Sequence, residues 1–186
     1  MSDLLDFVEE ECAHAAHVVD ILDAQAAILH DGASDPNYRL LRDIMHYCAH
    51  YLPAVLFPYE DCLLERLGQH QPELHQLAEA LHRRHERHSV LAIALHNMLD
   101  GVLSGHMVPR GRLTKETDAY ITLLREHIAP LERQLIEAAH KLASEDLAVA
   151  ERQCAARLTA ETRESLREEF TRLRSAIDNE HALSVE

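Results

Sequence analysis

Every glycine in this chain falls in one of three places: Gly32, Gly68, and the group Gly101, Gly105 and Gly111. Each place is a stretch of turn-forming residues, HDGASDPN, RLGQHQP and DGVLSGHMVPRG. Glycine and proline are the strongest breakers of regular structure, so these stretches read as the real breaks in the first 140 or so residues. They separate four segments of about 28–32 residues, each long enough for a helical rod of roughly 40–48 Å. Long helices joined by short loops pack as up-down-up-down neighbours. The expectation is an all-α chain: an antiparallel four-helix bundle over residues 1–143, with a C-terminal helical extension over 144–186.

Hydrophobic periodicity supports that reading. In the first segment Leu5, Val8, Cys12, Ala15, Val19, Leu22, Ala26 and Leu29 recur in steps of three and four, the spacing of one buried helix face. Leu74, Ala78, Leu81, His85, His88, Ala92, Leu95 and Leu99 do the same in the third, and Tyr120, Leu124, His127, Leu131, Leu135, Ala138 and Leu142 in the fourth. The second is interrupted by Pro53 and Pro58, yet Leu52, Leu56, Glu60, Leu63 and Leu67 form one stripe. Pro36 and Pro72 suit helix starts. The tail reads as a short helix after Ser144 and a longer one from about Thr159 to Ile177, packing across the bundle.

Charge and composition exclude several functions. A net charge of −14 lacks the basic footprint that nucleic acid or an anionic membrane requires. No apolar run approaches the roughly 20 residues of a membrane span, and the acidic opening MSDLLDFVEEEC is unlike a secretory leader. Cys12, Cys48, Cys62 and Cys154 form no C-x-x-C pair and read as reduced thiols in a cytoplasmic protein. Neither a glycine-rich phosphate loop nor a G-x-S-x-G elbow occurs. The chain therefore reads as a binding or sensor protein rather than an enzyme.

The seams also carry groups that a plain core would not: Cys12, Glu60, His85, His88 and His127. A buried carboxylate costs several kcal/mol unless paired or metal-bound. A carboxylate and histidines converging from different helices are how such bundles build metal sites, and the donors suit iron, manganese or zinc. A buried Glu–His hydrogen-bond network without metal is the plainer alternative. Of the 15 histidines, most read as solvated surface. His14 and His17 flank the first seam, His46 and His50 stand one turn apart on a surface face, and Cys48 and Cys62 read as small core residues.

At this point the motifs resemble the hemerythrin-like, HHE cation-binding family, over nearly the whole chain. LLRDIMHYCAHYLPAVLFPYEDCLLERL resembles its second-helix signature, where a His–His–Pro–Lys–Glu–Asp run supplies a ligand histidine and a bridging glutamate. ALHRRHERH resembles the third and AYITLLREHIAPLERQL the fourth; LLDFVEEECAHAA resembles the first, where the family has Glu–Glu–His. The resemblance implies metal ligands at Glu60, His85 and His127. It also exposes losses: Cys12 and Leu56 stand at ligand histidines, and Leu131 stands at a bridging carboxylate. Glu132 follows and is a substitute carboxylate if it turns inward, beside a Pro130 that distorts the turn.

In the family, the first two helices' histidines serve one iron and the last two serve the other. The losses fall on the first iron, so the resemblance implies one mononuclear non-haem iron site with Cys12 nearby as thiol or fourth ligand. Its expected ligands are dioxygen, nitric oxide or peroxide. A metal-free interaction protein with a protein partner, and a haem-binding variant of the fold, are the alternatives. A homodimer through the tail helix is compatible with the pattern.

Overall fold

The computed structural model describes the backbone of residues 3–157 and 160–185, with side chains except those of residues 3, 129–132, 160, 163, 180 and 183–185. Among the described residues there are helices and connecting turns, with no strand.

Helix α1 (Asp3–Asp31) buries the whole stripe from Leu5 to Leu29. The chain then reverses through Gly32, whose φ of +72° is the left-handed region that glycine enters without a Cβ clash. Asn37 opens the next helix: its side chain accepts from the backbone N–H of Arg39 and Leu40 at 3.1 and 3.0 Å, satisfying two of the donors a helix start leaves bare. The buried Gln25 of α1 accepts the N–H of Asn37 at 2.8 Å, fixing the corner to the preceding helix.

From Tyr38 the chain is helical to His70, in three parts. Helix α2 (Tyr38–His46) and helix α3 (Phe57–His70) are joined by a π-helical stretch, Tyr47–Leu56. Pro53 explains the wide turns: it has no N–H to donate, and its ring would collide with the carbonyl four residues back in an α-helix. The wide ladder runs to its end at Phe57, whose N–H donates five residues back, to Leu52. Despite this, Leu52, Leu56, Glu60, Leu63 and Leu67 all remain buried.

Helix α4 (His75–Leu103) ends in a paired cap: the His106 N–H reaches the Gly101 carbonyl at 2.9 Å and the Gly105 N–H reaches Val102 at 3.0 Å. Gly105 supplies the left-handed residue this cap needs, with φ +84°. Helix α5 (Arg110–Leu131) starts with a side chain that ties two corners together. Arg110 donates to the carbonyls of Leu29, Ile28 and Ser34 at 2.9, 2.8 and 2.7 Å, capping the end of α1. After Pro130 comes a second wide π turn (Glu132–Ile136) leading to helix α6 (Glu137–Ala139).

Three of the five glycines are not breaks: Gly68, Gly101 and Gly111 lie within helices, and only the turns at Gly32 and Gly105 need positive φ. Helix α1 lies against α5, and α4 against both α5 and the α2–α3 rod, which closes back on α1. Helix α7 (Ser144–Arg157) packs on α3, burying Ala150 and Cys154. Helix α8 (Ala160–Val185) runs beyond the expected end at Ile177 and packs Phe170 and Ile177 against α2 and the π-helical stretch. No helix among these is long and apolar enough to cross a membrane.

Candidate metal centre

Three of the misplaced polar side chains meet. Glu60 comes from the first turn of α3, His85 from α4 and His127 from α5, each carried inward by the aliphatic stripe on its own helix. Their exposures are 3%, 6% and 3%, so water does not solvate them. The His85 Nε2 lies 2.7 Å from Glu60 Oε2, and the His127 Nε2 lies 3.4 Å from the same oxygen. One donor atom from each of the three lies within 4.8 Å of the others.

Those spacings suit a single ion. Donor atoms about 2.1 Å from one metal, at angles of 90–109°, stand about 3.0–3.4 Å apart. The two distances to Glu60 Oε2, 2.7 and 3.4 Å, lie close to that range, and all three donors lie within 4.8 Å of one another. The donor chemistry agrees as well: His127 is buried with neither ring nitrogen in a hydrogen bond. Its Nε2 has only the 3.4 Å ion-pair contact with Glu60 to offset burial, and a bound cation would give that nitrogen a full partner.

The electrostatics of the bare site are those of an ion pair. Burial alone would raise the Glu60 carboxyl, but the imidazoles of His127 and His85 outweigh it and hold it down at about 2. Burial likewise works against the charged form of His85, while Asp61 and Glu60 push its proton affinity up to about 9. Asp61 Oδ1 lies 3.4 Å from His85 Nδ1, within ion-pair range though outside hydrogen-bond geometry. A carboxylate on the far nitrogen of a ligating histidine is the usual device for orienting the ring. Phe57 stacks on His85 at 4.0 Å and 9°, and presents an edge to His127 at 5.4 Å, walling the site with an apolar face.

The remaining sequence candidates fall at varying distance from this group. The Cys12 Sγ stands 4.0 Å from Glu60 Oε1, the outer limit of a thiol hydrogen bond, so the thiol borders the carboxylate. Glu132 and Leu131 have side chains outside the described residues; Glu132 opens the wide turn that follows Pro130. His88 faces a different partner, the Tyr120 hydroxyl at 2.5 Å. Burial, then the neighbouring His127 and His85, lower His88 to about 3 and keep it neutral. His14 is half-buried against Tyr47, and His17 pairs with Asp178 at 3.1 Å. Cys48 and Cys62 are buried.

Several contributors were not identified from sequence. Asp61 and Phe57 are visible there only as neighbours of Glu60; their roles follow from the α3–α4 packing. Glu11 is fully buried beside Cys12, with Oε2 3.5 Å from Arg174 of α8 and Oε1 without a hydrogen bond, and burial raises its carboxyl. A run of three glutamates hides which one turns inward. A groove of about 780 Å³ between α3 and α4, lined by Asp61, Gly68, His75, Ala78 and His82, leads from solvent to Asp61, whose carboxylate faces His85.

Comparison of the chain with protein-family models, curated proteins and solved structures finds no match.

Proposed function

We propose that this chain is a hemerythrin-like four-helix bundle holding one non-haem metal ion, iron first, on Glu60, His85 and His127, and that it binds or senses dioxygen, nitric oxide or peroxide. The observation that carries the proposal is the convergence of three metal-competent side chains from three helices inside an aliphatic core, with His127 lacking any hydrogen bond. The four rods are α1, the continuous α2–α3 helix, α4, and α5 with its extension. The hemerythrin-like reading rests on the motif resemblance and on the reduced ligand set that it implies.

Two imidazoles and one carboxylate form the donor set that leaves positions open on a divalent ion; bound Fe(II) would supply those positions to a small ligand. The protein's own residues set the surroundings. Glu60 balances part of the cation's charge, Asp61 orients His85, and Phe57 keeps bulk water from the imidazoles. Cys12 borders the carboxylate as a thiol neighbour. Manganese and zinc accept the same donors.

A second reading draws on the 2.7 Å bond between His85 and Glu60. That contact already closes a buried, charge-balanced pair, so a metal-free protein that acts through protein partners is self-consistent. Metal analysis separates the two readings. Protein purified without air and reconstituted with Fe(II) is compared with His127→Ala, with circular dichroism as the folding control. Metal lost in the variant at unchanged helicity supports the site. Parent protein that takes up none supports the ion-pair network.

A further inference from the structure

A second group of imidazoles lies apart from the buried centre. His46 ends α2 and His50 stands one turn later in the π-helical stretch, while His96 approaches from α4. The ring centroids are 4.6 Å apart for His46–His50, 5.4 Å for His46–His96 and 5.9 Å for His50–His96. Three imidazoles around a tetrahedral ion, with metal–nitrogen bonds of about 2.0–2.1 Å, place their centroids about 5 Å apart. The observed triangle surrounds that value.

The surroundings of the rings also suit ligation. His96 Nδ1 lies 3.7 Å from Asp100 Oδ2, leaving Nε2 for the cluster and supplying the carboxylate that ligating histidines commonly have behind them. Phe170 of α8 lies nearly parallel to His46 at 5.8 Å and 17°, forming one wall. Among the described residues only the buried centre already has its donor atoms within 4.8 Å of one another. To face a common ion the surface rings would have to turn about χ2, and that sp³–sp² torsion is soft.

We propose that His46, His50 and His96 form a second, solvent-accessible site for a borderline divalent transition ion, zinc first, with water completing the coordination. The site stands at the junction of α2, α4 and α8, so an occupying ion would tie the C-terminal helix's docking surface to the core. It is independent of the buried centre and of the function proposed for it.

The test is zinc titration of the chelator-stripped 186-residue chain against a chromophoric zinc indicator. With Glu60→Gln removing the buried centre, one zinc per chain is expected to remain. Adding His96→Ala or His50→Ala weakens it at least about tenfold, while the exposed control His82→Ala changes nothing. The same His96→Ala substitution in the otherwise unaltered chain removes one class of zinc, which keeps the test valid if Glu60→Gln does not fold. A zinc titration unchanged by His96→Ala and by His50→Ala, or equally weakened by His82→Ala, overturns the proposal.

Discussion

Replacing Glu60 by Gln separates the two things this carboxylate does. Gln keeps the shape and accepts a hydrogen bond but carries no charge and is a poor metal ligand. In metal-free protein the loss is capped by how strongly His85 holds its proton. That imidazole stays charged to about pH 9 when folded, against an ordinary value of 6.5. A raised histidine contributes stability fully below its unfolded pKa and loses it as pH rises through the folded one. At 1.36 kcal/mol per step of pH, the cap is about 3 kcal/mol at pH 6 and about 1 kcal/mol at pH 8.5. Asp61 still faces His85, and a buried charge has been removed from Glu60. The expected net loss at pH 6 is therefore about 2 kcal/mol, or about 4–8 °C in Tm for a chain of this size. Metal adds the contrasting result. At a hundredfold excess over Kd the parent gains about 2.7 kcal/mol, and Glu60→Gln gains none. Urea unfolding with and without Fe(II), in a His96→Ala background to silence the surface imidazoles, measures both effects. An equal metal-induced shift in parent and Glu60→Gln would refute the reasoning, because the ion would then be bound elsewhere.

Other consequences are separable. If the hemerythrin-like proposal is right, installing the ligands that this resemblance lacks, with Cys12→His, Leu56→His and Leu131→Glu, should raise metal content from about one to about two ions per chain; an unchanged content contradicts that proposal. His88, lowered to about 3 when folded, is neutral in the core but protonated in the unfolded chain below pH 6.5. Stability should thus fall as pH drops from 6.5 toward 3, by about 2 kcal/mol at pH 5 from this group; His88→Phe should flatten that limb in pH-dependent urea melts. Gly105→Ala, at φ +84° with open space around its Cβ, should cost about 1 kcal/mol through backbone strain alone. Chemical denaturation measures it, and a neutral result means that the α4 cap relaxes.

Much of this arrangement was legible because it obeys helical periodicity. The α1 stripe from Leu5 to Leu29 is buried throughout, and Glu60, His85 and His127 sit in such stripes, which is why one helix period suffices to aim them inward. Periodicity does not give the rotation and height of one helix against another. Hence Asp61 behind His85, Tyr120 on His88, and His96 beside His46 and His50 all needed the three-dimensional packing. Glycine was an imperfect marker of breaks, since a helix interior tolerates Gly68 and Gly111 at modest cost. Pro53 did not end its helix because wide turns absorbed it, so the second stripe survived an interruption that sequence alone weights heavily.

The most direct measurement is elemental analysis of protein purified without air and reconstituted with Fe(II), carrying His96→Ala, with and without His127→Ala. The account predicts about one ion per chain in the first and almost none in the second, at the same helical content. No metal in the first protein, or equal metal in both, would contradict a metal centre at Glu60, His85 and His127.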